Sequence, residues 1–191
     1  TQAAWTGYFV FSNPAAGLYW NMTNAPANTY RWLIGPAVST GWRPVTIQTL
    51  ATASNPSNLK IGYHGVIPGL AHSATDIVDD ASNVRSNYIA TLSSYGNIGT
   101  PNITLEYQNS DFNTVPSSVG AVDLWYYDMP AGNPSTSIWT STNPQSGNGT
   151  NGANTTITKN GGIALTSGKI VPLVLAELNN DLGTTGNVFY W

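Results

Sequence analysis

Few residues in this chain have side chains able to do chemistry. There are two glutamates, Glu106 in Leu105-Glu106-Tyr107 and Glu177 in Ala176-Glu177-Leu178. A retaining glycosidase needs two carboxylates about 5 Å apart across a cleft, one as acid and base and the other as nucleophile. Glu106 and Glu177 both fall in strand-like runs and could face each other across a sheet. The segments around them do not carry the patterns of xylanase-like jelly rolls. His64 and His72 have neither metal-ligand spacing nor a serine elbow to serve. Asp76, Asp79 and Asp80 lack the glycine and the alternating oxygen ligands of a calcium loop. With no cysteine in the chain, disulfides and zinc-thiolate sites are excluded. The sequence therefore implies no cofactor, no metal and no enzymatic turnover.

Three other chemistries need weighing. A lysine held in an apolar site beside a carboxylic acid can condense with Asn or Asp into an isopeptide bond. Lys60 and Lys169 sit in strand contexts, with Glu106 or Glu177 as the assisting acid. Trp20, Trp32, Trp42, Trp125 and Trp139 could stack sugars, although large aromatics usually fill a sandwich interior. N-glycosylation sequons start at Asn21, Asn102, Asn148 and Asn154. That number is about what chance gives in a chain so rich in Asn, Ser and Thr. Asn21 and Asn102 fall at strand ends, and Asn148 and Asn154 fall in a polar loop, where a glycan fits.

Composition says where such a chain works. Only 8% of residues are charged, against roughly 25% in ordinary soluble domains. Asn, Ser, Thr, Gly and Tyr take the place of charge, and such a surface keeps its hydration at any pH. Full protonation leaves only the positive charges of six Lys and Arg and two His, a small self-repulsion. The expected setting is extracellular and acidic or otherwise harsh. A net charge of -3 lacks the basic footprint of a nucleic-acid binder. No apolar run reaches the 18 residues of a membrane span. The start at Thr1-Gln2-Ala3-Ala4 reads as a mature end left by signal peptidase. It carries no long apolar helix of the type IV pilin kind.

The elements that must position these groups are short strands. In Pro44–Leu50, Val45 and Ile47 share one face. In Asn102–Gln108 the apolar set is Ile103, Leu105 and Tyr107, and in Val122–Tyr126 it is Val122, Leu124 and Tyr126. Period two with β-branched and aromatic residues predicts half-buried strands. Further strands are predicted over 5–11, 17–21, 30–34, 59–63, 155–159, 170–177 and 188–191. Asn13-Pro14, Asn55-Pro56, Asn133-Pro134, Asn143-Pro144 and Asn160-Gly161-Gly162 mark turns between them. Thr75 caps a predicted short helix near 75–85, with aspartates in its first turn; residues 87–92 read equally as a strand. Ser141–Asn154 reads as an exposed polar loop. The fold class is all-β, a β-sandwich of jelly-roll or immunoglobulin-like type, in one domain over 13–191.

The ends of the chain are apolar where termini are usually polar. Residues 1–12 hold Trp5, Gly7, Phe9 and Phe11 on one face and Tyr8 and Val10 on the other. A strand of this kind is either the first strand of its own sheet or a donor strand for a neighbour. Repeated head to tail, the second contact does not close and makes a fibre. The C-terminal Asn187–Trp191 reads as an internal strand. In its apolar N-terminal strand, length, lack of cysteine, low charge and Asn/Ser/Thr-rich loops, the whole chain resembles archaeal surface thread subunits and other donor-strand-complemented pilus subunits. The resemblance implies a β-sandwich that polymerises with identical subunits into a cell-surface filament for adhesion or cell–cell contact. It also implies that the protein carries N-linked glycans and inserts the segment around Trp5–Phe11 into the next subunit. The rival readings are a secreted glycan-binding or glycan-cleaving domain and a viral coat jelly roll.

Overall fold

The computed structural model describes residues 9–10, 17–22, 28–36, 41–49, 57–64, 84, 86–127, 139–141, 148–151 and 153–177. They form thirteen strands: β1 (Phe9–Val10), β2 (Leu18–Met22), β3 (Thr29–Trp32), β4 (Ile34–Gly35), β5 (Val45–Gln48), β6 (Ser57–His64), β7 (Ile89–Ser94), β8 (Asn102–Tyr107), β9 (Val122–Tyr127), β10 (Trp139–Ser141), β11 (Asn148–Asn151), β12 (Asn154–Lys159) and β13 (Ile170–Glu177). Two 3-10 turns, Asn109–Asp111 and Val119–Ala121, lie between β8 and β9.

The strands make two antiparallel sheets and one small ladder. One sheet has the order β10-β9-β13-β7-β6-β2 and the other β11-β12-β8-β5-β3. The inward faces meet in one core: Leu59, Ile61 and Tyr63 of β6, Leu92 of β7, Leu124 of β9 and Leu173 and Leu175 of β13 from the first sheet, with Trp32, Val45, Ile47, Ile103, Leu105, Tyr107 and Ile157 from the second. This is the all-β sandwich that the period-two runs require. Trp32 ties its layers together at one edge: its indole N–H donates to the Leu18 carbonyl at 3.1 Å, and Trp20 packs edge-on against it at 5.4 Å.

Three local expectations change. Ser141–Asn154 is not one loop, because 148–151 and 154–159 pair as the hairpin β11–β12, with Asn148 opposite Ile157 and Asn151 opposite Asn154. Composition hid it, since a strand of Asn, Gly and Thr has no apolar alternation to read. The ambiguous segment before residue 94 is strand β7, held between β6 and β13. The middle of the six-stranded sheet is not half-buried: Ile89, Thr91, Trp125, Val174 and Ala176 on its outer side are as buried as the core row. The unbroken apolar run Val171–Ala176 is the signature of a strand covered on both faces. Pro172 is tolerated there because the ladder to β9 starts one residue later, at Leu173. The expected turn at 160–162 is present, with Gly161 and Gly162 at φ 63° and 84°, values that favour glycine.

The expected helix near 75–85, of which only Val84 is described, lies otherwise outside the described residues, as do the strand 188–191 and Trp5, Gly7 and Phe11. Of the N-terminal strand, Phe9–Val10 is described, and it pairs in parallel with β4, Phe9 with Ile34 and Val10 with Gly35. This ladder stands apart from both main sheets.

Truncation at Ile103, fully buried between the sheets, is expected to cost about 2–5 kcal/mol as Ile103→Ala. On the outward side of the same strand, Thr104 shares a hydroxyl hydrogen bond with Thr158 at 2.8 Å. Thr158→Ala should cost about 1 kcal/mol or less. Urea unfolding followed by tryptophan fluorescence separates the two effects, and equal losses would contradict the assigned faces.

Candidate functional site

Two ion pairs, Arg43 with Asp111 and Arg31 with Glu106, lie at one end of the five-stranded sheet. Arg43 lies just before β5 and is 1% exposed. Its Nε and Nη2 grip the Asp111 carboxylate, Nη2 reaching Oδ1 at 2.9 Å. Nη2 also donates to Gln108 Oε1 at 3.0 Å, and Nη1 to the Trp42 carbonyl at 2.9 Å. Asp111 closes the 3-10 turn after β8 and accepts the Gln108 backbone N–H at 2.8 Å and the Tyr88 hydroxyl at 3.3 Å. Tyr63, across the core on β6, donates its hydroxyl to the Arg43 carbonyl at 2.6 Å. Every charged atom of the pair is therefore met, as a buried ion pair requires.

From this pair the network runs outward. Gln108 Nε2 donates to Asn154 Oδ1 at 2.9 Å. Asn154 Nδ2 donates to Glu106 Oε2 at 3.1 Å and to the Trp42 carbonyl at 3.2 Å. Arg31 Nε and Nη2 donate to Glu106 Oε1 at 3.1 and 2.6 Å, and the same guanidinium lies 4.8 Å from the Trp42 ring centre. Trp42 is 36% exposed and ends the chain of contacts at the surface. Arg31 and Glu106 share an outward face because β8 alternates, Leu105 and Tyr107 pointing to the core and Glu106 away from it. Sequence reasoning missed Arg43, Asp111 and Gln108. The signal it had was an arginine between a tryptophan and a strand start in a chain with only six basic Lys and Arg residues.

The residues singled out from sequence do not come together as one active site. Glu106 points out of the sandwich from β8, whereas Glu177 continues the inward row of Leu173 and Leu175 at the end of β13. The five-stranded sheet separates them, so they do not flank a common ligand. Glu177 is engaged elsewhere: it accepts the Ser117 backbone N–H at 3.2–3.3 Å and the Ser117 hydroxyl. Lys60 and Lys169 are only partly buried, short of the apolar enclosure an isopeptide bond needs, and the Lys60 ammonium lies 5.6 Å from the Tyr19 ring. His64 ends β6, and His72, Asp76, Asp79 and Asp80 lie outside the described residues. Among the described residues no group of three His, Asp or Glu could hold a metal ion, and no helix is long and apolar enough to cross a membrane.

The sequons are placed in different surroundings. Asn21 is exposed on β2. Asn102 begins β8, partly buried, and donates to Gln48 at 3.0 Å. Asn148 begins β11. Asn154, expected on an exposed loop, is 5% exposed, and its amide nitrogen is committed to Glu106 and Trp42. Of the tryptophans considered for stacking, Trp32 is fully buried and Trp125 nearly so. Trp20 is partly buried, and Trp42 keeps an exposed ring.

Burial also sets the tyrosines. Tyr63 and Tyr88 pack edge to face at 4.8 Å. Burial raises both phenols well above the ordinary value, and the nearby Asp111 charge adds to the rise. Burial pushes Tyr107 up to about 12. A phenol whose folded pKa is raised stabilises the fold below its unfolded value near 10 and loses that contribution as pH rises through the folded value. Stability should therefore fall above pH 10, Tyr107 contributing up to about pH 12. Absorbance titration should show these three phenolates appearing together with unfolding, not before it.

The buried pair makes a sharper test. Asp111→Asn leaves the Arg43 charge unpaired and should cost about 3–5 kcal/mol. Replacing both partners, Arg43→Met with Asp111→Leu, should cost less than either single change. Denaturant melts of the wild type, Asp111→Asn, Arg43→Met, Asp111→Leu and the double replacement decide it.

Comparison with protein-family models, with curated protein sequences and with solved structures gives no match.

Proposed function

We propose that this protein is a structural subunit of an extracellular filament, built head to tail by exchange of its N-terminal strand, for adhesion or cell–cell contact. The observation that carries the reading is the apolar face of Trp5, Gly7, Phe9 and Phe11 at the start of the sequence; within this chain Phe9–Val10 pairs with Ile34–Gly35. An apolar N-terminal segment is added by backbone pairing to a short strand outside both main sheets, against residues that are fully or nearly buried. The same two-residue register can be made with the β4 of another copy, and an exchange of identical elements between subunits needs no new contact chemistry. The buried ion pair and the outward Arg31–Glu106 pair engage each other's charges, in keeping with a structural role. The neutral polar surface suits a particle exposed to varying pH and salt, and N-linked glycans belong to the same picture.

Trp42 favours a second reading. Its partly exposed indole, held by its backbone carbonyl and backed by Arg31, is a platform on which a sugar ring could stack. In that case a glycan titration quenches or shifts tryptophan fluorescence, and Trp42→Ala abolishes the change.

The test of the filament is negative-stain electron microscopy of the natively purified protein, with sedimentation of a chain lacking residues 2–11. The expected result is long thin filaments from the full chain and none from the truncated one. A peptide spanning residues 1–12 should restore the melting temperature of the truncated body. Monodisperse particles of a single chain, unchanged by the deletion, would overturn the proposal.

A further inference from the structure

We infer that Asn21 is an N-glycan acceptor of this protein, and that Tyr19, steadied by Tyr95, packs against the first sugar. Strand β2 turns Leu18, Trp20 and Met22 toward the core and therefore Tyr19 and Asn21 to the outside. The two outward residues lie about 6.5 Å apart along the strand. Asn21 is exposed, and its carboxamide has no hydrogen-bond partner among the described residues. Thr23 completes the sequon.

The aromatic neighbours are prepared for a ligand. Tyr19 is 58% and Tyr95 50% exposed. Their rings stand 5.4 Å apart, and their hydroxyls share a hydrogen bond of 2.9 Å. The Lys60 ammonium lies 5.6 Å from the Tyr19 ring centre. Two large rings are thus held in place yet left in water, the arrangement in which the C–H face of a pyranose covers apolar surface. Two of the other sequons offer less: Asn102 donates its amide to Gln48 at 3.0 Å, and Asn154 is 5% exposed. A sugar on the Asn154 nitrogen would break its bonds to Glu106 and Trp42 and open the path to the Arg43–Asp111 pair.

The modification is a group transfer by a host oligosaccharyltransferase. The Asn21 amide nitrogen loses a proton and bonds the anomeric carbon of a lipid-linked diphosphate sugar. The bond from that carbon to oxygen breaks, and the diphosphate leaves with the electron pair. This inference does not depend on filament assembly.

The test is secretion of the chain, and of its Tyr19→Ala variant, from an N-glycosylating eukaryotic host. Site-resolved glycopeptide mass spectrometry then reads occupancy. Melting temperatures are taken before and after enzymatic removal of the glycan. The expected result is a glycan at Asn21 on most molecules and none at Asn102 or Asn154. Its removal should lower Tm by about 2–4 °C in the wild type, the size of one aromatic contact in a chain of this length, with that shift lost in Tyr19→Ala. A bare Asn21, a glycan at Asn154 in folded protein, or an equal shift in Tyr19→Ala would each overturn it.

Discussion

A guanidinium buried to 1% exposure must be neutralised where it lies, because an isolated charge in that position costs several kcal/mol. In a chain with so few charges, the partner of Arg43 constrains much of what surrounds it. Asp111 is brought to it by the 3-10 turn after β8, where the carboxylate also accepts the Gln108 backbone N–H. Gln108 fills a remaining acceptor position. Tyr63 reaches from the opposite sheet to the Arg43 carbonyl, and Tyr88, just before β7, reaches Asp111. One ion pair thus fixes the start of β5, the end of β8 and the approach of β6 and β7. A buried pair is a weak source of net stability compared with an apolar replacement. Its consequence here is positional, since any shift between the sheets would leave a charge or a hydroxyl unmet.

That constraint shapes the surface as well. Because Asn154 and Glu106 extend the network, the outward side of the five-stranded sheet near Trp42 is cross-linked by hydrogen bonds and electrically balanced. Along the rest of that face threonines meet across strands, as Thr104 and Thr158 do. Among the described residues, this face has little to offer a charged partner. The contacts open to it are backbone ladders, aromatic faces and sugar, and none of these depends on a group that titrates near neutral pH. A head-to-tail assembly made through β1 and β4 would share that indifference to pH and salt.

Much of the sandwich is readable in the sequence. β5 and β8 stand almost where alternation put them, because β-branched and aromatic residues at period two have one good way to be half-covered; β13 stands where its apolar run put it, covered on both faces. The hairpin β11–β12 was not readable: Asn148–Asn151 becomes a strand only because β12 offers it a ladder, and β12 in turn leans on β8. The site was less legible still. Arg43 and Asp111 are 68 residues apart and Asn154 and Glu106 48 apart, and nothing local to any of them announces the other.

By itself the sequence determined the class of fold, the scarcity of charge, the lack of thiol chemistry and the apolar character of the N-terminal strand, since these follow from residue types and short-range period. Tertiary structure alone decided that Glu106 and Glu177 face different sides of a sheet, that Asn154 is buried while Asn21 is open, and that Tyr19 and Tyr95 meet. Period two says which residues share a face; only the long-range ladders say which face is inside and which strand lies next to it.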